Sequence, residues 1–165
     1  MQEKIIRDFQ ESVEVKLAFI QRESARIEQV VRVMAEAFGK GNKVLLFGNG
    51  GSSTDASHIA AEFVNRFKIE RRGLPAIALA CDPAVVTSIA NDYSFDRLFA
   101  RQIETFGAKG DIALGISTSG NSPNVLAGLK AAKELGMVTI GWTGGTGGKM
   151  AELVDYPFVV PTKNT

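Results

Sequence analysis

The stretch Asp111-Ile112-Ala113-Leu114-Gly115-Ile116-Ser117-Thr118-Ser119-Gly120-Asn121-Ser122-Pro123 decides the fold. Behind one aspartate, an apolar run too short for a helix and too apolar for a half-exposed strand reads as a buried strand over Asp111–Ile116. A loop rich in hydroxyls breaks it. Pro123 then stands where its missing N–H costs nothing, in the first turn of a helix running to about Leu135. The same order of strand, loop and helix recurs at Val44–Phe47, which is followed by Gly48-Asn49-Gly50-Gly51-Ser52-Ser53 and a helical stretch. Ala76–Ala80 and Val138–Trp142 read as further strands, the latter followed by Thr143-Gly144-Gly145-Thr146-Gly147-Gly148, and Val154–Val160 reads as the last. Buried strands alternating with helices predict an α/β fold: a doubly wound, mainly parallel sheet flanked by helices, joined by right-handed crossovers. Ligands then belong at the C-terminal strand ends.

Ahead of the first strand, Ile6, Phe9, Val13, Leu17 and Ile20 recur at helical spacing, as do Ile27, Val30, Val31, Met34 and Phe38. Gly39 and Gly41 follow, glycine being the residue that commonly ends helices. Two helical segments are expected in residues 1–41 and an α/β core in 42–165, as one domain. Two helices outside a doubly wound sheet leave apolar surface to cover, so they are expected to help build a homo-oligomer.

Charge excludes several functions. Nineteen basic and eighteen acidic side chains leave a net charge of +1, so no global field draws the chain to nucleic acid or to an anionic membrane. Any anion must be bound locally. The opening MQEKIIRDFQ lacks a secretory pattern, and no apolar run is long enough to cross a bilayer, which makes the cytoplasm the expected compartment. One cysteine, Cys81, forms no intrachain disulfide and is expected to be a small buried apolar residue.

A phosphate needs converging donors more than it needs net charge. Ser117, Thr118, Ser119 and Ser122 offer four hydroxyls within six residues, and a helix N-terminus at Pro123 adds free N–H groups and a positive dipole end. Capping that helix would take only one. The loop Gly48–Ser53 also invites a dinucleotide reading, but Ser53 stands where a third glycine or alanine belongs, and no Walker-type lysine loop occurs. A small polyol phosphate between the two loops fits better. Thr143–Gly148 is assigned no ligand, its glycines being accounted for by a sharp connection.

In the helix after Ser53, His58 and Glu62 lie four apart on one face. That spacing alone describes a solvated pair. Following a glycine-rich loop at a strand's C-terminal end, however, both are expected to point toward the phosphate pocket, with Glu62 as general base and His58 as metal ligand or proton carrier. Asp55, one turn earlier, is accounted for by the helix dipole. Zinc at a catalytic site takes at least about three protein ligands, and this helix supplies two.

Gly115-Ile116-Ser117-Thr118-Ser119-Gly120-Asn121-Ser122-Pro123-Asn124-Val125, Gly48-Asn49-Gly50-Gly51-Ser52, His58-x-x-x-Glu62, Asn91-Asp92 and Gly147-Gly148-Lys149-Met150-Ala151 together resemble the bacterial phosphoheptose isomerases, over nearly the whole chain. The Ser-Thr-Ser-Gly-Asn-Ser string also marks the wider sugar isomerase (SIS) superfamily. The resemblance implies interconversion of sedoheptulose 7-phosphate and D-glycero-D-manno-heptose 7-phosphate by a zinc-binding homotetramer, for lipopolysaccharide-core or other heptose synthesis. It implies substrate contacts from Asn49, Gly50, Gly51, Glu62, Asn91, Asp92, Ser117, Thr118, Ser119 and Ser122, with His58 and Glu62 as metal ligands and Glu62 as the catalytic base. The family pattern also includes a further helix with an Arg-Ile-Gln-Glu-type motif and a histidine, implied to supply two more zinc ligands and a second acid/base, which is not among these 165 residues. The chain is similar as well, in Asn65-Arg66-Phe67 and Ile89-Ala90-Asn91-Asp92, to non-enzymatic SIS-fold regulators that bind the bacterial replication initiator. Glu62, a carboxylate those regulators lack, favours the enzyme. A sugar-phosphate-sensing module would keep the serine loop without needing Glu62.

Overall fold

In the computed structural model, which describes residues 1–162 and 164, the apolar runs form five strands. These are β1 (Val44–Gly48), β2 (Ala76–Ala78), β3 (Ile112–Ser117), β4 (Val138–Gly144) and β5 (Tyr156–Val160). Every pairing is parallel, in the order β2-β1-β3-β4-β5. Helices α1 (Gln2–Gly39), α2 (Gly51–Val64), α3 (Pro83–Asp92), α4 (Leu98–Phe106), α5 (Pro123–Glu134) and α6 (Gly148–Leu153) cover the two faces.

Both faces of the sheet are apolar, which is why the strands read as continuous runs rather than alternating ones. Val44 and Leu46 of β1, with Ile112 and Leu114 of β3, pack against Val30 and Phe38 of α1 and Ala56 and Ala60 of α2. Leu45, Phe47 and Ala113 face the opposite way, toward Ile89 of α3, Phe99 and Ile103 of α4, Leu129 of α5 and Met150 of α6. The doubly wound α/β architecture expected from sequence is the one observed.

Local expectations needed correction in three places. Instead of two N-terminal helices there is one, of 38 residues and about 57 Å. Ile20 and Ile27 are seven apart, so both stripes belong to one face, and Gln21-Arg22-Glu23-Ser24-Ala25-Arg26 holds no glycine or proline to interrupt it. The final strand starts at Tyr156 rather than Val154, because Gly148–Leu153 forms the short crossover helix α6. Cys81, expected to be buried, is exposed in the turn after edge strand β2, its Sγ 2.8 Å from the Ser57 hydroxyl.

Only the second half of α1 packs on the sheet. Phe19 meets Phe158 with ring centroids 6.3 Å apart. Arg22 and Arg26 donate to the carbonyls of Val159 and Pro157 in β5, and the buried Glu23 carboxylate bridges both guanidiniums at 2.8 and 2.9 Å. Ile6, Phe9, Val13 and Leu17, nearer the start, are exposed. No helix of the described residues is long and apolar enough to cross a membrane.

Candidate active site

The chain leaves β1 for β2 on one side and returns in β3 on the other, so the strand order reverses between β1 and β3. That crevice, outside the carboxyl ends of the strands, is where open α/β sheets bind ligands. Register places Gly48 beside Ile116, and Ser117 beside Thr143, so the Gly48–Ser53 and Ser117–Ser122 loops flank the crevice. The approach is close: a side chain on Gly48 would put Cβ 2.8 Å from the Ile116 carbonyl and 2.7 Å from Ser52 Cβ.

Between the loops lies a cavity of about 210 Å³ lined by Asn49, Ser52, Ile116, Ser117, Thr118, Ser119 and Ser122. None of these is charged. What the cavity offers an anion is hydroxyl donors together with the N-terminal ends of α2 and α5, which start at Gly51 and Pro123 beside it. Ser117 and Ser122 share one hydrogen bond of 2.9 Å between their Oγ atoms, so one of the two protons stays unspent. Ser119 Oγ accepts from the Asn121 main-chain N–H at 3.2 Å, which leaves its proton to donate elsewhere. Ser117, Thr118, Ser119, Ser122 and Asn49, five of the residues expected to bind substrate, are thereby gathered at one spot. Gly50 and Gly51 form the turn that enters α2 next to them.

Sequence reasoning missed three contributors. Ser52 lines the cavity. Asn124, 2 % exposed, exchanges side-chain amide hydrogen bonds of 2.9 and 2.8 Å with Asn49 across the two loops. The third contributor is Thr143–Gly148 together with the first turn of α6, which fix the serine loop. Gly144 N–H donates to the Thr118 carbonyl at 2.9 Å, Met150 N–H to the Gly120 carbonyl at 3.0 Å, and Lys149 N–H to Asn121 Oδ1 at 3.1 Å. Gly120, at φ +65°, lies so close to this loop that a Cβ would fall 1.9 Å from the Gly147 carbonyl. Its crowded glycines signalled a close approach rather than a mere turn.

His58 and Glu62 are placed differently from the expectation. Glu62 lies eleven residues beyond Gly51, about 16 Å along α2, and neither residue lines the serine-loop cavity. About two helical turns separate His58 from it and about three separate Glu62, so one chain alone does not bring the carboxylate to the hydroxyls. His58 Nε2 and Glu62 Oε1 stand 3.5 Å apart, with side chains 76 % and 38 % exposed. Two ligands of one tetrahedral ion at ordinary zinc bond lengths would be roughly 3.4 Å apart, so the pair fits one edge of such a site. Among the described residues no group of three or more His, Cys, Asp or Glu completes it. Asn91 and Asp92 sit exposed at the end of α3, joined by a 2.9 Å hydrogen bond, and they too lie outside the cavity.

Comparison with known proteins agrees with this geometry. The SIS domain family model matches residues 8–144. The phosphoheptose isomerase of Aquifex aeolicus is 54 % identical over the whole of this chain and 86 % of its own length. Among solved structures, the phosphoheptose isomerase of Francisella tularensis superposes with a TM-score of 0.94 at 37 % identity, covering 99 % of this chain and 87 % of that one. That of Neisseria gonorrhoeae gives 0.92 at 39 %, covering 99 % and 88 %. With the serine loop, the switch-point cavity and similarity over the whole of this chain in agreement, the chain belongs to the SIS domain family and, within it, to the phosphoheptose isomerases.

Proposed function

We propose that the protein converts sedoheptulose 7-phosphate to D-glycero-D-manno-heptose 7-phosphate in the cytoplasm, for lipopolysaccharide-core or other heptose synthesis. The observation that carries this reading is the uncharged cavity at the β1/β3 switch point, ringed by serine and threonine hydroxyls and by two helix N-termini. Such a site suits a phosphate ester, whose oxygens accept and do not donate. Identity of 54 % to a phosphoheptose isomerase over the whole of this chain supports the class of sugar.

In this reading the phosphate rests on Ser117, Thr118, Ser119 and Ser122, and Asn49, Gly50, Gly51, Asn91 and Asp92 contact the sugar. Glu62 takes a proton from C1 of the ketose, an enediol forms across C1 and C2, and a proton returns to C2 while a hydroxyl proton passes from O1 to O2. Nothing is oxidised or reduced overall, so no redox partner is required. His58 and Glu62 would hold zinc together with ligands from outside the described residues, and the ion would polarise the oxygens of the reacting carbons. Because Glu62 lies about 16 Å along α2 from the cavity edge, a homotetramer that brings a neighbour's α2 to the serine loop completes the site.

The test is an isomerase assay on sedoheptulose 7-phosphate, with chelator and with added zinc, for the wild type and Glu62→Gln. Turnover in the wild type and its loss in the variant, with sugar-phosphate binding kept, is expected. A Glu62→Gln protein with normal turnover removes Glu62 from the mechanism. A wild type that binds the sugar phosphate and never converts it would make the protein a sensor or regulator instead.

A further inference from the structure

The Asn49–Asn124 pair has an internal direction. Val125 main-chain N–H donates to Asn124 Oδ1 at 2.9 Å, and since that group can only donate, the atom it meets is the amide oxygen. Asn49 must then turn its Nδ2 toward the same oxygen, at 2.9 Å, and its own Oδ1 toward Asn124 Nδ2, at 2.8 Å. Asn49 is left with one N–H and one lone pair, each in a fixed place, on a residue that lines the hydroxyl cavity. Without the pair, a half-turn of the Asn49 amide would exchange donor and acceptor.

We propose that Asn124 is a positioning residue for substrate: buried and away from the ligand, it sets which edge of the Asn49 amide the phosphorylated sugar meets. It also ties the glycine-rich loop after β1 to the helix that follows the serine loop, so the two walls of the cavity keep one spacing. This inference rests on the cavity being the sugar-phosphate site.

The test compares Asn124→Ser, Asn49→Ala and the double variant with the wild type, all as full-length protein. Serine keeps an acceptor for the Val125 N–H and removes the bond to Asn49. Calorimetric titration with sedoheptulose 7-phosphate should show about tenfold weaker binding for Asn124→Ser, and Asn49→Ala should abolish that difference. In kinetics the loss should fall on KM, with kcat within about twofold of the wild type. The NMR signals of the Asn49 side-chain NH2, protected from solvent exchange in the wild type, should lose that protection in Asn124→Ser. Should serine at this helix start impair folding, Asn124→Ala, which removes both bonds to Asn49 and favours helix, must show the same loss of Asn49 protection. Unchanged binding with intact protection, or a loss as large in the Asn49→Ala background as alone, overturns the proposal. Failure of the wild type to bind the sugar phosphate overturns the reading of the cavity itself, a result separate from any difference between variants.

Discussion

Ser119 shows how little of an anion site needs formal charge. Its oxygen is already engaged by the Asn121 N–H, so the hydroxyl proton is free for a ligand, and the nearby N-terminus of α5 favours negative charge there. A hydrogen bond to a charged group is worth about 1.5–3 kcal/mol. Ser119→Ala is therefore expected to weaken binding of a phosphorylated sugar at least tenfold and to change binding of its unphosphorylated counterpart less than twofold, as read by calorimetry. Equal losses would show that this hydroxyl does not meet phosphate. These hydroxyls were legible in the sequence because they lie within six consecutive residues, and chain proximity delivers them to one place. Asn124 was not singled out, because its partner Asn49 is 75 residues away and only the sheet register brings them together. Glu62 is on the expected helix face, yet periodicity reports a face and not the three turns separating it from the serine loop.

Strands and helices were legible where their burial leaves a period, and their ends were less so. β1 and β3 emerged as runs because neither sheet face meets water, whereas the junction of the two N-terminal stripes carries no apolar signal at all and was read as a gap. The ends of β1 and β3 opposite the cavity are pinned by Asp111. Its buried carboxylate accepts from the Lys43 N–H at 3.0 Å, the Ala108 N–H at 2.9 Å, Asn42 Nδ2 at 3.2 Å and the Lys43 ammonium. Burial pushes the Asp111 pKa up, but the Lys43 and other hydrogen bonds outweigh it and hold the group below the usual aspartate value. A pKa lower in the folded than in the unfolded chain contributes stability that is complete above about pH 4 and is lost as pH falls through the folded value. Asp111→Asn should cost about 3 kcal/mol at pH 7. Thermal melts should show the gap from wild type narrowing below about pH 4, with KM unchanged because the staple is at the far end of the strands. A gap of constant size across that range would remove the ionised carboxylate from the account.

For the molecule as a whole, the first half of α1 is the feature that packing within one chain does not cover. Ile6, Phe9, Val13, Leu17 and Ile20 form one exposed apolar stripe, and a cavity of about 390 Å³ between α1 and the sheet is lined by Phe19, Ile27, Met34 and Trp142 among others. Apolar surface of this extent is the kind that association sites present, and a homo-oligomer built on it belongs to the proposed function. Replacing Ile6, Phe9 and Val13 together by Glu should lower the mass measured by analytical ultracentrifugation to that of smaller species. It should also abolish isomerisation if a neighbour supplies Glu62, and an active monomer would refute that shared site. The amphipathic pattern disclosed this surface, although no pattern within one chain discloses what covers it. Where the second half of α1 meets the sheet edge, alternate carbonyls of β5 point away from β4, and those of Pro157 and Val159 are already bonded to Arg26 and Arg22. A stray extended peptide finds no vacant acceptors at those two positions, which makes the last strand a poor template for fibril growth.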